Sequence, residues 1–255
     1  FQTGTIKTKV KFIKMNQGEE PYEIPIPWFL IKHPQGDVII DGGMPIEAAI
    51  DKHKHWGSLV DVYDPVMKAS EWCRDQVKTV NTNPEDVKNV IQTHLHLDHS
   101  GAIGHFPNAT HITQRIEYDY AYNPDWFSQP AYIKEDFDKP NIRWKFLQGK
   151  KTDYFDLYGD GVIKIIFTPG HTPGHQSVLV NLPKTGHMLL TGDACYTGDH
   201  WCDKCLPGLV ASASDAADSV AKLRKIAKET NAKVVWGHDP VTWLQWNKAP
   251  MFYYD

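Results

Sequence analysis

Cysteine is scarce in this chain: Cys73, Cys195, Cys202 and Cys205 are the only four in 255 residues. That excludes a scaffold built on disulfides. Cys202 and Cys205 have C-x-x-C spacing, but no second pair accompanies them. They lie between Trp201 and Leu206-Pro207 rather than in a thioredoxin-like βαβ context, so they are read as reduced loop thiols. Long apolar runs are missing too. Residues 162–167, interrupted by Lys164, and residues 188–190 are typical, far short of the roughly 20 needed to cross a bilayer. No membrane partner is expected. Basic charge is not in excess: 27 Lys and Arg stand against 31 Asp and Glu, a net charge of −4, with no concentrated basic block. A nucleic-acid partner is therefore not expected, because that binding is carried by clustered Lys and Arg. No repeat, low-complexity tract or signal-peptide pattern is present, and the chain opens on Phe1 rather than Met. The expected compartment is the cytoplasm, with a secreted or periplasmic location left open by the absent Met.

What remains is ordinary globular composition, 41% hydrophobic, 23% charged and 12% aromatic, with 18 Gly and 17 Pro. A chain of this length can bury most of its apolar surface as one domain, expected over residues 1–255. Alternating apolar and polar residues predict strands over 5–14 and 24–32, and the solid run Val38-Ile39-Ile40 predicts a buried one. Helices and strands then alternate. Residues 214–230 predict a helix: Ala216, Val220, Leu223 and Ile226 share a face, Asp215 and Asp218 load its first turns, and Lys222 to Lys228 load its later ones. Residues 51–72 and 118–139, rich in Trp, Tyr, His and Pro, are read as insertions over one end of the sheet.

The informative pattern is what ends the apolar runs. Val90-Ile91 leads to His94, residues 162–167 lead to His171, residues 188–190 lead to Asp193, and Val234-Val235-Trp236 leads to His238. Four metal-capable side chains thus follow four predicted buried strands, where α/β proteins gather their ligands. Within the run His94-Leu95-His96-Leu97-Asp98-His99, three imidazoles and a carboxylate occupy six residues. Imidazole nitrogen and carboxylate oxygen suit zinc and similar divalent ions, and the run offers two adjacent ligand sets. His94 and His96 would be completed by His171, Asp98 and His99 by His238, and Asp193 could bridge. Ligands enough for two open sites, with no thiolate among them, favour catalysis over a closed structural site. His175, four residues past His171, is read as support. His33, His53, His55, His105, His111, His187 and His200 are read as surface or packing residues.

At these residues the sequence resembles the metallo-β-lactamase superfamily, whose His-x-His-x-Asp-His signature stands here at residues 94–99. Gly170-His171, Gly192-Asp193 and Gly237-His238 follow in the order of that superfamily. The resemblance implies a four-layer αββα sandwich of α/β class, with two divalent metal ions held as above. Zinc is expected first, with manganese, cobalt and iron as alternatives. It also implies that Asp41, in Asp41-Gly42-Gly43, supports the ligands from outside. β-Lactamases, thioesterases of the glyoxalase II kind, nucleases and phosphodiesterases share this scaffold. Finer matches narrow the choice: residues 112–118 (ITQRIEY), residues 170–177 (GHTPGHQS) and Asp193-Ala194-Cys195-Tyr196 resemble the N-acyl homoserine lactone lactonases. Lys14-Met15-Asn16-Gln17-Gly18, His55-Trp56-Gly57 and residues 136–140 resemble the branch that includes γ-butyrolactone hydrolases.

The resemblance implies a quorum-quenching lactonase that opens N-acyl homoserine lactones by attack of a hydroxide shared between the two metals. Tyr196 would meet the lactone carbonyl and Asp98 would carry a proton to the leaving alkoxide. The alternatives are γ-butyrolactone, thioester, β-lactam or phosphodiester hydrolysis, or a non-catalytic metal-binding protein. A small-molecule lactone is the expected partner, a homodimer is a possible assembly, and Met15, Trp28, Trp126 and Phe127 are candidates for an acyl-chain pocket.

Overall fold

The computed structural model describes the whole chain, Phe1 to Asp255. One five-stranded sheet runs, in spatial order, Phe29–Ile31, Asp37–Ile40, Val87–Ile91, Thr110–Gln114 and Arg143–Leu147. A second runs Lys233–Val235, Gly186–Leu190, Gln176–Leu182, Ile163–Phe167 and Tyr154–Asp156. Successive side chains on a strand point to opposite faces, and that alternation decides what each sheet packs against. Val38, Ile40, Ile91 and Ile112 of the first sheet share a buried cluster with Ile163, Ile165, Val178, Val180, Met188 and Leu190 of the second. Their neighbours Ile39 and Val90 turn outward against Cys73, Val77 and Phe106. On the far side Ile166, Leu179 and Leu189 turn outward against Leu223, Ile226 and Ala227 of the helix Ala213–Thr230. The result is the four-layer sandwich that the resemblance implies.

That helix begins one residue before its predicted start. The Ser212 hydroxyl caps it by accepting from Asp215 N at 3.3 Å, and Asn231 ends it in the left-handed conformation. Two predicted strands come out differently. Residues 5–14 are strand only to Lys9, after which Val10–Ile13 make a helical turn. Residues 24–32 divide at Trp28: Pro21–Pro27 pairs with Gln2–Lys9 in a three-stranded sheet completed by Asp64–Val66, while Phe29–Ile31 joins the first large sheet. Apolar patterning cannot see this division, because both strands are half-buried and only their pairing partners differ.

The three-stranded sheet closes one end of the sandwich, packing Ile6, Ile24 and Ile26 with Met44, Trp56, Leu97 and Tyr196. The two stretches read as insertions reach the same end through Leu59, Val62 and Tyr63 and through Phe127, Pro130 and Ala131. No helix is long and apolar enough to cross a membrane.

Candidate metal centre

Parallel pairing brings the decisive residues together. Ile40 lies opposite Ile91, Ile91 opposite Ile112, and Leu190 opposite Val235, so Asp41, His94, Asp193 and His238 leave their strands at one level. Glutamines tie the two sheets beneath them. Gln176 Nε2 donates to Gln92 O at 2.8 Å, and Gln114 Nε2 donates to Gln176 Oε1 at 2.7 Å. Asp41 is held at φ 63° and is followed by Gly42 at φ 106°, where a Cβ would lie 2.5 Å from Ala102 N; only glycine fits that turn.

Three groups of side chains gather here with their ligand atoms within 4.8 Å of one another: His94, His96 and His171; His94, His99 and Asp193; and Asp98, His99 and His238. Asp193 stands between the outer two. Its Oδ2 is 3.3 Å from His171 Nε2 and 3.6 Å from His94 Nε2, while its Oδ1 is 3.0 Å from His238 Nε2 and 3.4 Å from His99 Nε2. Most of the rings are oriented from behind. His171 Nδ1 donates to Leu209 O at 3.0 Å, His238 Nδ1 to Pro25 O at 2.9 Å, and His99 Nδ1 to Asp41 Oδ2 at 2.8 Å. This fixes the tautomer so that Nε2 faces inward. Asp41 also accepts from Thr93 N at 2.7 Å and Thr93 Oγ1 at 2.9 Å. His175 Nε2 accepts the Asp193 N–H at 3.0 Å.

Burial lowers the pKa of His94, His96 and His171, and the neighbouring imidazoles lower His94 and His96 further, so this trio presents neutral lone pairs. Burial acts on His99 and His238 in the same direction, but there the carboxylates, Asp193 foremost, prevail and raise both. The same rings hold Asp193 ionised against its own burial. His171 Nε2 faces His94 Nε2 at 3.2 Å and His96 Nδ1 at 3.0 Å, lone pair toward lone pair. His99 Nε2 and Asp193 Oδ1 are buried without a hydrogen-bond partner. Converging neutral nitrogens, a shared carboxylate and orphaned buried atoms fit divalent cations, and nothing else in the site satisfies them.

A cavity of about 260 Å³ opens beside the cluster. His96, Asp98, Asp193, Tyr196 and His238 form its polar floor, and Ile24, Leu59, Tyr63, Leu97 and Phe127 are among its apolar walls. Burial, then Asp193, Tyr63 and Asp98, push the Tyr196 phenol far above its ordinary range, so it remains a hydrogen-bond donor.

Of the four residues expected to contact an acyl chain, only Phe127 lines this cavity. Trp28 is fully buried in the layer behind the first sheet, stacked on Phe1 and donating to Gln76. Trp126 is 85% exposed, and Met15 is held by a backbone bond to Leu206 outside the cavity lining. Each sits in the right neighbourhood of sequence, but side-chain direction is set by pairing and packing.

Three contributors are not singled out by the sequence: Tyr63, Thr93, and Glu117 inside the ITQRIEY motif. Tyr63 is a second phenol in the cavity. Glu117 is wholly buried, and an acid in the first turn after a buried strand was the available signal. His55, read as a packing residue, pairs with Asp136 at 2.9 Å, within 4.8 Å of Glu47.

Residues 22–238 match the metallo-beta-lactamase superfamily. The chain is 57% identical over 254 residues to the N-acyl homoserine lactonase AttM of Rhizobium radiobacter, covering 99% of this chain and 97% of that one. It is 33% identical over 221 residues to an N-acyl homoserine lactonase of a Bacillus species, covering 86% and 83%. Among solved structures, an N-acyl homoserine lactone hydrolase with N-hexanoyl-L-homoserine at its catalytic metal centre superposes with a TM-score of 0.87 at 26% identity, covering 98% of this chain and 96% of that one. A point mutant of AiiA from B. thuringiensis, with N-decanoyl-L-homoserine at its active site, gives the same score, identity and coverage. With its signature histidines gathered at the mouth of a two-sheet sandwich, this chain belongs to the metallo-β-lactamase superfamily and, within it, to the N-acyl homoserine lactonases.

Proposed function

We propose that this protein hydrolyses N-acyl homoserine lactones to N-acyl homoserines at a centre of two divalent cations. The observation that carries the reading is Asp193: one oxygen faces His94 and His171, and the other faces His99 and His238. His94, His96 and His171 would hold one ion, Asp98, His99 and His238 would hold the other, and Asp193 is placed to serve both. When bound, such a pair lowers the pKa of a water toward neutrality and polarises a carbonyl. Zinc is the ion proposed first for an all-nitrogen and oxygen donor set, with manganese, cobalt and iron as alternatives.

The side chains supply the rest. Tyr196, held protonated at the cavity floor, donates its hydroxyl hydrogen to the lactone carbonyl oxygen as negative charge develops there, a contact that strengthens only in the transition state. Asp98, whose side chain is 15% exposed at the rim of the cluster, carries a proton from the attacking water to the ring oxygen as its bond to the carbonyl carbon breaks. The apolar walls receive the acyl chain and keep bulk water from the carbonyl. We also propose that the chain acts as one domain and as a homodimer; the length of the family match supports the first, and the resemblance supports the second.

The test is elemental analysis combined with proton release from short- and long-chain acyl homoserine lactones and from γ-butyrolactone. About two metals per chain with rapid turnover of the acylated lactones is the expected result. Two metals without lactone turnover would retain the metal centre and overturn the substrate.

A further inference from the structure

Glu117 is a buried carboxylate that the mechanism above does not use. It lies in the first turn of the helix Arg115–Tyr122, with no exposed surface, yet it touches none of the imidazoles. Four donors converge on it. Oε1 accepts from Leu95 N at 3.0 Å and from the Tyr132 hydroxyl at 3.0 Å, and Oε2 accepts from the Thr172 hydroxyl at 2.6 Å and from Gly174 N at 3.2 Å. Leu95 lies between His94 and His96, Thr172 follows His171, and the Tyr132 ring stands edge-on to His96 with centroids 4.6 Å apart. One side chain is therefore tied to both loops that carry this imidazole trio and to the aromatic wall behind His96. The approach is close: a Cβ on Gly174 would lie 2.4 Å from Glu117 N, so glycine is required for the loop to reach the carboxylate.

We propose that Glu117 is the positioning residue of the His94, His96 and His171 half of the centre, fixing the separation of its two loops and thereby the affinity of that half for its ion. The inference rests on the metal reading above. It concerns only one half, because Asp41, not Glu117, braces the other by direct contact with His99.

The test is release of metal from the holoenzyme into excess chelator, with cobalt(II) as the probe so that the two ions differ in spectrum. Glu117→Gln keeps one carbonyl oxygen but sets an NH₂ group against donors, so at least one loop loses its anchor. One ion should leave roughly 10- to 100-fold faster than from the wild type, the usual scale for a group supporting a ligand, while the other leaves at its wild-type rate. Excess metal should restore kcat. Equal acceleration of both ions, or of neither, overturns the proposal. If Glu117→Gln does not fold, Thr172→Val and Tyr132→Phe each remove a single O–H donor and should shift the same ion in the same direction by less; no shift in either overturns it as well. A wild-type holoenzyme that yields only one ion overturns the two-metal reading itself, a result distinct from an unaltered Glu117 variant.

Discussion

The two halves of the centre are built from similar side chains but differ electrically. His94, His96 and His171 lie among imidazoles and one oxygen of Asp193, burial keeps them neutral, and Glu117 bonds their loops and the Tyr132 and Thr172 hydroxyls without touching the imidazoles. Asp193 and Asp98 raise both His99 and His238, and Asp41 raises His99 as well. The difference shows that ligand identity alone does not define a metal half-site. Among neutral neighbours an imidazole gives up its proton readily, whereas beside carboxylates a cation must displace the proton that they favour before the ring can act as a ligand. Asp193 couples the two environments by offering one oxygen to each.

The strongest way to break this comparison is to remove what the halves share. Asp193→Ala should lower metal content in both and cost several kcal/mol of transition-state stabilisation, a loss of at least about 1,000-fold in kcat/KM, read by elemental analysis and lactone hydrolysis together. Loss of a single ion would mean that Asp193 serves one half only. Tyr196→Phe should leave both halves loaded and reduce kcat by roughly 100- to 1,000-fold, the scale of one oxyanion donor; unchanged kcat would remove the phenol from the mechanism. Asp41→Asn should act more strongly on the Asp98, His99 and His238 half, weakening metal there by roughly 10- to 100-fold in a chelator competition, because Asp41 bonds His99 directly and reaches His94 only through Thr93; equal weakening of both halves would refute that asymmetry.

The smallest effect lies outside both halves and serves as a control. His111, buried behind the first sheet, is pushed down by burial, then by Lys139, to about 3. Unfolded, it titrates near 6.5, so between those values only the unfolded chain takes up the proton. Its neutral form contributes fully above about pH 6.5, and that contribution is lost as pH falls toward about 3. His111→Leu should make the acid limb of a urea-stability profile shallower between roughly pH 6.5 and 4, without changing metal content. An unaltered acid limb would assign that limb to the centre itself.

The centre was legible in the sequence because metal ligation demands particular atoms. Only His, Asp, Glu and Cys supply them, so a run such as residues 94–99, with single His and Asp residues after later apolar runs, stands out against any background. Strand alternation and the amphipathic pattern of residues 214–230 were legible for a similar reason, since burial on one face imposes a period. The cavity walls were not. Any apolar residue can line a wall or fill a core, and Trp28, Phe127 and Trp126 differ in environment from fully buried to almost fully exposed without differing in kind.

By itself, then, the sequence determined the donor set, its division into two groups, the superfamily and the class of chemistry, because each depends on residue type and order. Only the tertiary structure decided that Asp41 bonds His99 and Thr93, that Glu117 bonds the loops of residues 94–96 and 171–174, and which aromatics line the cavity. Those depend on where strands of different sheets come to lie, and so on long-range pairing and side-chain direction that no local pattern encodes.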